Sequence, residues 1–148
     1  MSVDGAARPI EILLVEDSRG DVRLIAEALK TAEVAHELHV AVDGEQAMAF
    51  LRDEGEFAGT PRPDIVILDL NLPKKNGRSV LHDIKHDEEF RRIPVIVLTT
   101  SSDEDDIREC YNLHANCYIT KPMGMDRFND LVKEINEYWF STVRLPPG

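Results

Sequence analysis

Five side chains could do chemistry together: Glu16, Asp17, Asp69, Thr99 and Lys121. The runs Ile12-Leu13-Leu14-Val15, Ile65-Val66-Ile67-Leu68 and Val95-Ile96-Val97-Leu98 lead directly into the first four, and a shorter stretch, 117–120, leads into the lysine. In open parallel sheets, sites lie outside the carboxyl ends of the strands. Read as strands, these runs bring all five side chains to one edge. Three carboxylates gathered there would repel one another, and some would be forced to hold a proton. A divalent cation is the simplest remedy, and oxygen ligands without Cys or His point to Mg²⁺ rather than zinc. A Lys ammonium and a Thr hydroxyl beside such a cation suit a cluster of anionic oxygens, meaning a phosphoryl group. Any one of these acids alone reads as a strand or helix cap; the set at one edge is what argues for a site.

The elements that must position them follow from periodicity. Continuous β-branched or Leu runs of strand length suit strands covered on both faces. A weaker strand is expected over 37–42, where Leu38, Val40 and Val42 alternate, and another over 117–120. Helical stripes lie between the strands. They cover 21–31 (Val22, Leu24, Ile25, Ala28, Leu29), the segment after Asp43 and 78–86, and the last and longest runs from Met125 through Phe128, Leu131, Val132 and Ile135 to Trp139. Asp43 and Gln46 resemble a capping box. Ser102, followed by four acids, reads as an N-cap with negative charge in the first turn, where the helix dipole favours it. Asn76 and Gly77 shape a turn into a helix. Strand and helix alternate about five times, which predicts an α/β fold: a doubly wound, five-stranded parallel sheet with helices on both faces. Residues 1–9 read as a disordered lead-in, 55–63 as a polar surface loop and 141–148 as a tail.

Composition bounds the function. The 148 residues fit one ordinary domain. With 17 Lys and Arg against 28 Asp and Glu, the net charge is −11. That acid surplus argues against nucleic acid, whose phosphates are held by clustered Lys and Arg, and against anionic lipid. Cys110 and Cys117, seven apart, do not make a zinc spacing and read as free buried thiols in a reducing compartment. No signal peptide or membrane span is evident, so a cytoplasmic location is expected. His82 and His86 are four apart but read as a solvated helix face.

The residues then carry a resemblance. Glu16-Asp17 after the first strand, Asp69-Leu70-Asn71-Leu72-Pro73 after the third, Thr99 thirty residues beyond Asp69, and Lys121-Pro122 fifty-two beyond it resemble the receiver domain of two-component response regulators, the CheY-like fold. The similarity spans roughly residues 10–138. The long loop before Asp64, the segment 71–77 and the ending 138–143 are similar to the small response regulators paired with bacterial phytochromes. The resemblance implies a receiver over 10–140. Asp69 would be the phosphoacceptor, attacking a phosphohistidine on a sensor histidine kinase. Asp17 and Asp69 would bind Mg²⁺ directly, with the backbone carbonyl of Asn71 as a third ligand and Glu16 acting through a water. Lys121 would pair with a phosphoryl oxygen, and the Lys121–Pro122 bond would be cis. Thr99 and Tyr118 would be the switch pair. Thr100, where many relatives carry a smaller residue, would hinder the hydrolytic water. The kinase would be met around Arg19, Arg23 and Glu27.

Only about ten residues follow the last stripe, too few for a DNA-binding module. Output is therefore expected through contacts with an unknown downstream protein. Trp139, Phe140, Val143 and Leu145 are candidates for a homodimer surface, the alternative being a satellite patch. Two rival functions share part of this pattern. A haloacid-dehalogenase-like phosphatase also uses an Asp after a strand, but needs an acid two residues later, where this chain has Asn71, which cannot transfer a proton. A phosphorylation-independent binding module would be marked by a lost acid or lysine, and none is lost.

Overall fold

The apolar runs form the centre of a five-stranded, wholly parallel sheet in a computed structural model that describes residues 8–147. The strands are β1 (Ile10–Val15), β2 (His36–Ala41), β3 (Ile65–Leu68), β4 (Val95–Thr99) and β5 (Cys117–Thr120), in the order β2-β1-β3-β4-β5. Every residue of β3 and β4 is buried, as expected of strands with both faces covered. Successive side chains alternate between two cores. Leu13, Val15, Val66, Leu68, Val95 and Val97 face helices α2 (Gly44–Leu51), α3 (Gly77–Lys85) and α4 (Glu104–Asn112). Ile12, Leu14, Ile65, Ile67, Ile96 and Leu98 face α1 (Arg19–Leu29) and α5 (Met125–Ile135). The predicted architecture is the observed one.

The local differences have identifiable causes. β2 lies one residue earlier than predicted, because its register against β1 ends at Val15↔Ala41; Val42 lies past the strand and is exposed. α1 starts at Arg19 because Ser18 caps it, accepting from the Asp21 amide at 3.3 Å. α4 is capped by Asp103, not Ser102: the Asp103 carboxylate accepts from the Asp105 amide at 2.8 Å. Half of the capping box expected at α2 forms: the Gln46 amide donates to the Asp43 carboxylate at 2.8 Å, while the Gln46 side chain accepts from the amide of Val42, one residue before the cap, at 3.0 Å. The loop 55–63 is not wholly polar. It holds a short 3₁₀ turn, Gly55–Phe57, whose Phe57 ring packs edge-on to Phe50 at 5.7 Å.

Both chain ends depart from expectation where they are described. Arg8 pairs with Asp64 at 3.0 Å, so the ordered chain starts before residue 10; the rest of the expected disordered segment, residues 1–7, lies outside the described residues. At the other end, α5 continues into a π-helical turn, Asn136–Thr142, so helix extends past residue 140. Phe140 is buried in the α1/α5 core, and Trp139 and Leu145 pack against it half-buried. Phe140 is therefore corrected from an interface candidate to a core residue: the π turn swings it inward, where burying an aromatic ring stabilises the fold. Met125, placed on the apolar stripe, is exposed instead. Cys110 is buried and Cys117 half-buried, and both are free. His82 and His86 stack at 3.9 Å on the outer face of α3.

Gly77 opens α3 against the site. A Cβ there would press on the Asp69 carbonyl and the Leu70 Cα, which are backbone atoms of the turn that carries the acceptor. Gly77→Ala is expected to cost about 1–3 kcal/mol of stability by overpacking. Urea unfolding checks it, and an unchanged midpoint contradicts it.

Candidate functional site

The order in which strands are added reverses between β1 and β3, and the crevice at such a switch point is where ligands bind. Backbone bonds continue the sheet ladder by one residue past the strand ends. The Glu16 amide donates to Ala41 O at 3.0 Å, Asp69 to Val15 O at 3.0 Å and Lys121 to Thr99 O at 2.7 Å. This holds the site residues in one row. Glu16, Asp69, Thr99 and Lys121 are buried, and Asp17 is exposed at the mouth. All five side chains that the sequence singles out are brought together.

Asp69 is held by both oxygens. Its Oδ1 accepts from the Thr99 hydroxyl at 2.9 Å and from the Asn71 amide at 3.1 Å; its Oδ2 accepts from Lys121 Nζ at 3.1 Å. The buried lysine also donates to Glu16 at 2.5 Å and to Asp21 at 2.7 Å. Burial works against its charge, but the bonds to Asp21 and Glu16 outweigh it and hold its pKa above the usual lysine value. Glu16 is pushed the other way. Burial raises its pKa from 4.5 to about 7, with the neighbouring Asp69 adding to the effect and Lys121 opposing it. Ligand oxygens of Glu16, Asp17 and Asp69 lie within 4.8 Å of one another. Three hard oxygen donors, one on the solvent side and two on the buried side, fit a divalent cation that keeps part of its water shell.

Asp21 escaped the sequence reading. It stands in the first turn of α1, where an acid is accounted for by the helix dipole, and only the fold reveals its contact with a lysine one hundred residues away. The Lys121–Pro122 peptide is trans, and no cis peptide occurs among the described residues, which corrects the cis expectation. An X–Pro bond favours trans by about 0.5–1 kcal/mol unless the surroundings impose cis. Here the trans chain already delivers Lys121 to three carboxylates. Tyr118 is half-buried beside the first core, and its hydroxyl donates to Ser101 O at 2.9 Å, which ties the ring to the loop after β4. Ser101 in turn donates to Asp106 at 2.6 Å, and Asp106 is paired with Arg78 of α3.

Comparison with known proteins decides the family. The model of the response regulator receiver domain matches residues 12–133. The chain belongs to that family. Response regulator Rcp1 of Synechocystis is 50% identical over 143 residues, covering 97% of each chain. The crystal structure of the phosphorylated cyanobacterial phytochrome response regulator RcpA superposes with a TM-score of 0.91 at 53% identity, covering 95% of this chain and all of that one. The Mn²⁺-bound form of Rcp1 gives the same TM-score at 51% identity over 94% of this chain and all of that one. The receiver is thus closely related to phytochrome response regulators, and the phosphatase alternative gains no support. Among the described residues no helix is long and apolar enough to cross a membrane.

Proposed function

We propose that this receiver takes a phosphoryl group from a sensor histidine kinase onto Asp69 and passes the signal on as a change in its own surface. The observation that carries the reading is the clamp on Asp69: a carboxylate buried at the switch point, with a hydroxyl, an amide and an ammonium converging on its two oxygens. One Asp69 oxygen attacks the phosphorus of the phosphohistidine, and the phosphorus–nitrogen bond breaks with its electron pair leaving on the imidazole. Thr99 and Lys121 are placed to meet the phosphoryl oxygens. Asp17, Asp69 and the Asn71 carbonyl would hold Mg²⁺, with Glu16 acting through a water, and the ion would neutralise charge on the transferring group. Incubation with Mg²⁺ and acetyl phosphate, followed by mass measurement, tests this. One labile phosphate per chain is expected; steady turnover would indicate a phosphatase, and no adduct an inert binding module.

The added charge of about −2 biases a two-state surface. Thr99 would follow the phosphoryl group and Tyr118 would turn with the loop it is bonded to. Beyond its own phosphorylation and slow autodephosphorylation, the chain would have no enzymatic activity. Thr100 is exposed directly beside Thr99. Thr100→Ala is expected to speed decay of the aspartyl phosphate by roughly two- to fivefold by admitting the hydrolytic water, on the scale of a sub-kcal/mol barrier change. Equal or slower decay, followed by loss of labelled phosphate, would sink it.

The similarity to Rcp1 and RcpA supports a kinase of the phytochrome type and a cytoplasmic setting. Arg19, Arg23 and Glu27 form an exposed stripe on α1 suited to its docking. A homodimer through α5 and the chain end would use Trp139, Val143 and Leu145; Trp139 lines a cleft of about 430 Å³ together with Tyr111, Leu131 and Tyr138. Sedimentation with and without phosphorylation tests it, and a strict monomer in both states would count against it.

A further inference from the structure

Every donor of Lys121 is already taken. An ammonium has three N–H donors, and here each goes to a different carboxylate: Glu16 at 2.5 Å, Asp21 at 2.7 Å and Asp69 at 3.1 Å. The bond to the acceptor carboxylate is the longest of the three. A phosphodonor approaching Asp69 brings further anionic oxygens, and its arrival requires one donor to change partner.

The three carboxylates differ in what release would cost. The Glu16 side chain is 2% exposed, and losing its cation would strand a buried charge. Asp69 is 9% exposed and is the nucleophile itself. The Asp21 side chain is 29% exposed on the first turn of α1, so water can take over its hydrogen bond. Asp21 is therefore the partner that can yield.

We propose that Asp21 is a rate-setting positioning residue that competes for Lys121, drawing the ammonium toward α1 and restraining phosphoryl acceptance. This rests on the reading of Asp69 as phosphoacceptor. In the step with acetyl phosphate, an Asp69 oxygen forms the new bond to phosphorus. The bond from phosphorus to the acetate oxygen breaks, and its electron pair leaves with acetate. No proton moves: Lys121 keeps all three hydrogens and exchanges one acceptor, the Asp21 carboxylate, for a phosphoryl oxygen. Occupancy of Asp69 thereby loosens the N-terminal turn of α1, the helix whose outer face carries Arg19, Arg23 and Glu27.

The test uses the full chain, Mg²⁺ and acetyl phosphate, which separates chemistry from kinase docking. Phosphate incorporation is followed by mass for the parent, Asp21→Asn, Asp21→Ala, Asp21→Glu and Asp69→Asn. Asp21→Asn and Asp21→Ala are expected to incorporate phosphate roughly three- to tenfold faster, the scale of one ordinary hydrogen bond, since the charge of the partly exposed Asp21 is screened by water. Asp21→Glu, which keeps the charge, is expected to stay near the parent rate. A purely structural role would slow the site or leave it unchanged, so either result in both Asn and Ala variants overturns the proposal, as does a Glu variant as fast as the Asn variant. Urea unfolding of each variant shows that it is folded. Labelling of Asp69→Asn would instead overturn the phosphoacceptor reading, an outcome distinct from any result at Asp21.

Discussion

Asp69→Asn is expected to lose phosphate uptake entirely while making the metal-free protein more stable. The two effects have one cause. Asp69 is the only one of the clustered acids bonded at once by Thr99, the Asn71 amide and Lys121, so its oxygen is the one presented to phosphorus. An amide keeps the shape but is not a nucleophile of comparable strength. It also removes one negative charge from a pocket where Asp69 helps to raise the Glu16 pKa. Relief of that repulsion is worth about 1 kcal/mol or more at such short range. Mass measurement after incubation with acetyl phosphate reads the first effect, and urea unfolding in a chelator reads the second. A phosphorylated Asn variant would move the acceptor elsewhere; an unstable one would mean that the Thr99 and Lys121 bonds outweigh the repulsion.

Lys121→Ala carries the other large effect, with a definite pH sense. Without the ammonium, Glu16 and Asp69 are left buried with no cation, and breaking such a pairing costs about 3–5 kcal/mol. The Glu16 pKa is already raised from 4.5 to about 7 in the fold. A carboxyl that is a weaker acid folded than unfolded contributes stability at low pH, and that contribution is lost as pH rises from the unfolded value to the folded one. In the parent the loss is confined to the interval from 4.5 to about 7. In the variant the folded pKa rises further, so the loss continues above neutrality. Urea unfolding in a chelator at about pH 5.5 and about pH 8 should therefore show a wider gap between parent and variant at the higher pH. A divalent cation should recover part of the loss. An equal gap at both pH values would mean that Lys121 does not carry the charge of Glu16.

The fold was legible because its signals are local. Runs such as Ile65-Val66-Ile67-Leu68 can be satisfied only by burial on both sides, and Asp43 with Gln46 marks a helix start without reference to anything distant. Where two local choices were nearly equal, the tertiary structure decided. Ser102 and Asp103 can each cap α4, and Asp103 does so while Ser101, two residues before it, is engaged with Asp106. The end of β2 is set by its partner: Val42 continues the alternation but has no counterpart beyond Val15 in β1.

The sequence by itself determined the sheet, the row of acids, threonine and lysine at its edge, and the family they resemble, because each strand end is marked by its own apolar run. Only the tertiary structure decided which carboxylates share Lys121, that Phe140 belongs to the core, that the peptide before Pro122 is trans, and that Ser101 links Tyr118 to Asp106. These outcomes depend on contacts between residues far apart in the chain, as Asp21 and Lys121 are. Hydrophobic periodicity records which face of an element is buried. It carries no term for which partner a polar side chain finds across the sheet, and that pairing is settled by distance and burial once the strands are in register.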